Sequence, residues 1–163
     1  MEHNVAAVVN NLVDDSKRAV GRFMVGPIGF GCWRFTGSSV AEATALIEAA
    51  LDAGCNLVDT ADVYVGGVSE EIVGRALQGG RRDNVVLATK CHHPMSDEVL
   101  NRRGSTRSWI IRACEDSLRR LRTDHLDLFQ VHRPDPLTDI DETLGALSDL
   151  VHQGKVRMIG CCT

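Results

Sequence analysis

The stretch 126-LDLFQVHRPDPLTDIDETLGALSDLVHQGKVRMIG-160 decides the fold. It opens on one nearly continuous apolar run, Leu126–Val131, and closes on another, Val156–Ile159. Leucine-rich or β-branched runs of this kind are the pattern of strands buried on both faces. Between them Ile140, Leu144, Leu147 and Val151 recur at helical spacing. Asp139 and Glu142 have the spacing of an Asp-headed capping box, and Gly154 supplies the stop. Strand, helix, strand in so short a span is the repeating unit of a parallel α/β sheet.

The same beat runs upstream. Val85–Ala88, Leu57–Val58 and Met24–Phe30 read as earlier strands. One predicted helix carries Ala43, Leu46, Ile47, Ala50 and Leu51 on a single stripe, starts at a Ser39/Glu42 box and stops at Gly54. A shorter one covers Ser69–Leu77 before Gly79-Gly80, and a third carries Ile111, Cys114, Leu118 and Leu121. About five parallel strands and four helices result, in one domain over residues 23–163. Residues 1–22 show no clean period and read as a poorly ordered leader.

Composition narrows the function classes. The chain has 163 residues, a net charge of −4 and 44% hydrophobic residues, which excludes disorder and gives no basic surface for nucleic acid. No apolar run approaches the roughly 20 residues of a spanning helix, so no membrane is expected. Six cysteines lack a C-x-x-C pair or regular spacing and read as reduced thiols in a cytoplasmic protein. Cys91-His92-His93 matches no familiar zinc spacing, so no metal is expected either.

In parallel α/β folds, ligands sit beyond the carboxyl ends of the strands. Three successive runs there end in a titratable residue: Asp59, then Lys90, then His132, with Tyr64 just past the first. Taken singly, each is most simply a loop residue bonding to backbone. Taken together they suit one chemistry. A phenol is a weak acid, with a reference pKa near 10, and an adjacent ammonium favours its phenolate. A carboxylate holds that ammonium, and a histidine orients a carbonyl oxygen. None of the four can supply a hydride, so a nicotinamide cofactor is implied.

Asp59-Thr60-Ala61-Asp62-Val63-Tyr64, Ala88-Thr89-Lys90 and Gln130-Val131-His132-Arg133-Pro134 resemble the aldo-keto reductase family. So do Gly29-Phe30-Gly31-Cys32-Trp33, Gly66-Gly67-Val68-Ser69-Glu70 and Gly154-Lys155-Val156-Arg157-Met158-Ile159-Gly160. The resemblance implies a (β/α)8 TIM barrel and NADPH-dependent reduction of aldehydes or ketones. It places the family tetrad on Asp59, Tyr64, Lys90 and His132, with Tyr64 as general acid. Trp33 would line the substrate pocket, whereas Trp109, on a helix, is expected to pack. Where the family holds the nicotinamide carboxamide with Ser-Asn or Ser-Thr, this chain has Cys162 and Thr163.

An eight-stranded barrel typically takes about 250 residues. The expectation is therefore a partial barrel ending after strand five, without the family's opening hairpin. Its open edges would favour self-association. The alternative expectation is a non-catalytic remnant or half-barrel serving as a binding or assembly module.

Overall fold

A computed structural model describes residues 17–35, 39–96 and 98–162. It opens with a hairpin, which corrects the expectation that none precedes Phe23. β1 (Arg18–Val20) pairs antiparallel with β2 (Phe23–Val25) through a two-residue turn. Gly21, at φ 57°, supplies the left-handed backbone that such turns require. The hairpin lies against Met158: the Arg22 amide faces its sulfur at 3.4 Å. Residues 18–22 of the expected leader are thus structured, while residues 1–16 lie outside the described residues.

The single first strand expected over Met24–Phe30 is two strands. Pro27, which has no N–H to donate, separates β2 from β3 (Gly29–Gly31). Asn56 secures the break, accepting from the Gly26 amide at 2.9 Å and donating to the Met24 carbonyl at 3.0 Å.

From β3 onward strands and helices alternate. α1 (Val40–Asp52) is capped by the expected box: Ser39 Oγ accepts from the Glu42 amide and the Glu42 carboxylate from the Ser39 amide. β4 (Leu57–Asp59), α2 (Val68–Ala76), β5 (Val86–Cys91), α3 (Arg107–Leu121), β6 (Leu126–Val131), α4 (Ile140–His152) and β7 (Val156–Cys161) follow. The sheet is parallel, in the order β3-β4-β5-β6-β7. Five strands with four helices form a partial (β/α)8 barrel, as the sequence implies. Every residue of central β5 is buried, which explains its unbroken apolar texture.

Two helical stripes are rotated from the expected positions. α3 buries Trp109, Ile110, Ala113, Cys114, Ser117 and Leu121, so Trp109 packs as expected while Ile111 and Leu118 stand half-buried at the flank. α4 buries Thr143, Ala146, Leu147 and Leu150, and leaves Ile140 and Leu144 exposed. Those two join Val131, Pro134 and Ile159 around an apolar groove of about 560 Å³ at the β7 side of the sheet. Apolar residues on both flanks of α4 made its core face ambiguous from spacing alone. Among the described residues four thiols are buried, but Cys161 is exposed and Cys162 half-buried.

Candidate active site

Register fixes which side chains share a face. Asp59 pairs with Ala88 and Lys90 with Gln130, so Asp59 and Lys90 project from the same side of neighbouring strands, two residues apart along β5. Tyr64 follows β4 at the start of a tight turn, Tyr64–Gly67, and His132 follows β6. The backbone in that turn is left-handed at Val65, Gly66 and Gly67, with φ of 53°, 64° and 97°. The two glycines accept this freely. Val65 does not: a β-branched residue there carries about 1–2 kcal/mol of strain. Side chains hold the turn in place, with Ser69 Oγ donating to the Cys32 carbonyl at 2.8 Å and meeting Thr60 Oγ1 at 2.9 Å.

Lys90 is the hub. Its buried ammonium lies 2.6 Å from Asp59 Oδ2, 2.9 Å from the Thr60 carbonyl and 3.5 Å from Tyr64 Oη. An ammonium has three N–H donors, and these three acceptors match them. The Tyr64 and His132 rings meet edge to face, centroids 5.9 Å apart. Burial, then Lys90 and His93, lower His132 to about 4, so its imidazole is neutral at neutral pH. Its Nδ1 is buried with no hydrogen-bond partner among the described residues. Trp33, 62% exposed, forms one wall of an open cleft of about 440 Å³ that also takes in Tyr64, Val65, His93 and His132.

All four expected tetrad residues therefore come together, and Trp33 joins them at the cleft. Cys162 does not: its amide donates to the Val131 carbonyl at 2.9 Å, and the residue borders the apolar groove beside α4. Thr163 lies outside the described residues. Among the described residues no cluster of His, Cys, Asp and Glu could hold a metal ion, and no helix is long and apolar enough to cross a membrane.

Two features escaped the sequence reading. His93, weighed there only as a metal ligand, stacks edge to face on His132 at 4.8 Å and forms part of the cleft wall. Beneath the turn, Glu70 is fully buried. It accepts from Thr89 Oγ1 at 2.5 Å and from Arg120 Nε at 2.6 Å, tying α2 to β5 and α3 directly behind Lys90. The available signal was an acidic residue on the apolar face of a short helix.

A nicotinamide has partial fit here. Asp59 gives one carboxylate oxygen to Lys90, and its side chain is a third exposed. A Cβ placed on the adjacent Gly31 would enter open space, which leaves room above that carboxylate. A Cys162 thiol is a weak donor, and its position at the groove does not fit the second half of a carboxamide contact.

Comparison with known proteins places the chain in a family. Residues 27–163 match the model of the aldo/keto reductase family. Aldo-keto reductase YhdN of Bacillus subtilis is 45% identical, over 82% of this chain and 42% of its own length. An aldo-keto reductase of Fusarium vanettenii is 39% identical, over 73% of this chain and 38% of its own. Among solved structures, aldo-keto reductase AKR11C1 from Bacillus halodurans (holo form) superposes with a TM-score of 0.80 at 36% identity, covering 90% of this chain and 49% of that one. The chain spans less than half the length of the curated relatives it matches.

Proposed function

The chain belongs to the aldo-keto reductase family, and from that premise we propose that it carries the proton-donating half of an NADPH-dependent carbonyl reductase acting on aldehydes or ketones in the cytoplasm. The observation that carries the proposal is the Lys90 ammonium shared among Asp59, Thr60 and Tyr64. When bound, the nicotinamide supplies a hydride to the carbonyl carbon. Tyr64 gives its phenolic proton to the carbonyl oxygen, which completes the alcohol. The phenolate left behind is stabilised by Lys90, itself held by Asp59, and is reprotonated from solvent. His132, being neutral, offers a ring N–H to orient the carbonyl oxygen without adding charge. Trp33, Val65 and His93 bound the space where the rest of the substrate sits.

The test uses the full chain with NADPH and a panel of aldehydes and ketones. Saturable NADPH binding with carbonyl-dependent NADPH oxidation is expected. Absence of both refutes independent activity.

A second reading, an assembly-dependent half-barrel, is favoured by the apolar groove beside α4 and the outer edge of β7, which pairs with no further strand among the described residues. On this reading a second copy covers the groove, and activity rises with protein concentration as the sedimentation coefficient does. A strictly monomeric active chain excludes it.

A further inference from the structure

Two residues before Tyr64, Asp62 is fully buried, and apart from the adjacent Val63 amide its carboxylate oxygens meet no hydrogen-bond donor among the described residues. Such a group is costly unless it is neutral or finds water. Asp62 borders a polar cavity of about 200 Å³, together with Arg102, Trp109, Asp116 and Arg120. The Trp109 indole Nε1, also buried, likewise lacks a partner among the described residues. Asp62 and Trp109 thus border one cavity, which has room for several waters at roughly 30 Å³ each. The charges around it offset each other, so nothing in the lining selects an ion over water.

We propose that Asp62 and this cavity form a buried proton-binding site that positions the Tyr64 turn: an uncharged carboxylic acid bridged by cavity water to the Trp109 indole. The coupling to the cleft is short. The Asp62 amide donates to the Lys90 carbonyl at 3.0 Å, so Asp62 anchors the chain between Asp59 and Tyr64 onto β5. The groups facing it are Glu70 from α2, Asp116 and Arg120 from α3, Lys90 and Cys91 from β5, and Arg102 from the loop after β5. Burial and then the Glu70 carboxylate push Asp62 up to about 8, while the Val63 amide, Arg120 and Lys90 pull the other way. Ionising Asp62 sets a second carboxylate beside Glu70 beneath the turn, with Arg120 already committed to Glu70.

The linkage has a definite sign. A carboxyl whose folded pKa lies above its unfolded value gives stability that is present at low pH and lost as pH rises through the folded value. The uncharged isostere Asp62→Asn escapes that loss. Its unfolding midpoint is expected above the parent's, by more at about pH 8 than at about pH 5.

The experiment is carbon NMR of the full chain, labelled at the aspartate carboxyls and the tyrosine ring. Tyr64 is the only tyrosine, so its signal needs no assignment. The Asp62 carboxyl, identified by its loss in Asp62→Asn, should titrate near neutrality. The Tyr64 ring signal should move in the same step, and that step should vanish in Asp62→Asn. In Trp109→Phe the midpoint should rise, because a donor that steadies the ionised form is gone. Titration of Asp62 in the acid range, or a Tyr64 step unchanged in Asp62→Asn, overturns the proposal; an unmoved midpoint in Trp109→Phe overturns the water bridge. The positioning role rests on Tyr64 as proton donor, but none of these signals requires turnover, so the two readings fail separately.

Discussion

Replacing Arg120 by methionine tests whether the ion pair behind Lys90 supports the site. Arg120→Met keeps most of the apolar stem that lies over Gly67 but removes the guanidinium 2.6 Å from Glu70 Oε2. Glu70 then remains fully buried with Thr89 as its one side-chain hydrogen-bond donor among the described residues. Removing one partner of a buried pair costs about 3–5 kcal/mol, because the other charge stays buried without compensation. The Arg120 side chain is itself a fifth exposed, so water can replace part of it, which places the loss near the low end, about 3 kcal/mol. For a chain of this size that is roughly 6–12 °C in Tm. Adding Glu70→Gln to Arg120→Met removes the stranded charge and keeps an acceptor for Thr89, so the double variant should lose only about 1–2 kcal/mol. Urea unfolding of parent, both single variants and the double variant closes the cycle. A loss below about 1 kcal/mol in Arg120→Met, the worth of a surface pair, would refute the reasoning. So would a double variant no more stable than Arg120→Met.

The remaining predictions concern packing, capping and pH. A methyl on Gly74 would stand 2.5 Å from the Arg120 carbonyl oxygen and 2.6 Å from the Leu121 carbonyl carbon, where α2 crosses α3. Gly74→Ala should therefore cost about 1–3 kcal/mol in urea unfolding, and an unchanged midpoint contradicts the close crossing. Ser39→Ala removes the hydroxyl half of the α1 capping box, leaving the residue-39 amide to donate to Glu42, and should cost about 1 kcal/mol, read as a lower Tm. His132, held to about 4 in the folded chain, takes up protons more readily when unfolded, so stability falls as pH drops from about 6.5 toward 4. His132→Gln should flatten that segment of the stability curve, leaving the contribution of His92, which burial lowers in the same direction; an unaltered slope shows that His132 is not held neutral.

The parallel sheet was legible because buried strands leave continuous apolar runs and their crossover helices carry caps: Ser39 with Glu42, Asp139, and the positive-φ glycines Gly54 and Gly154. The tetrad was legible for the same reason, since Asp59, Lys90 and His132 each end or follow a run. The hairpin was not. Strands of three residues are too short to show alternation, and what holds the hairpin is a contact with Met158, far along the chain. Nor did the sequence mark Asp62, Glu70 and Arg120 as neighbours, because their meeting depends on how α2 crosses α3. Spacing also put Ile140 and Leu144 on the apolar stripe of α4, where both are exposed, since periodicity reports that a face is apolar and not what covers it.

The central claim is that Tyr64, set by Lys90 and Asp59, is the proton donor for carbonyl reduction. The most direct measurement is NADPH-dependent turnover of an aldehyde by the full chain against Tyr64→Phe, which removes only the phenolic oxygen, with NADPH binding measured in parallel. NADPH binding retained and turnover abolished is the predicted result. Undiminished turnover in Tyr64→Phe contradicts the account.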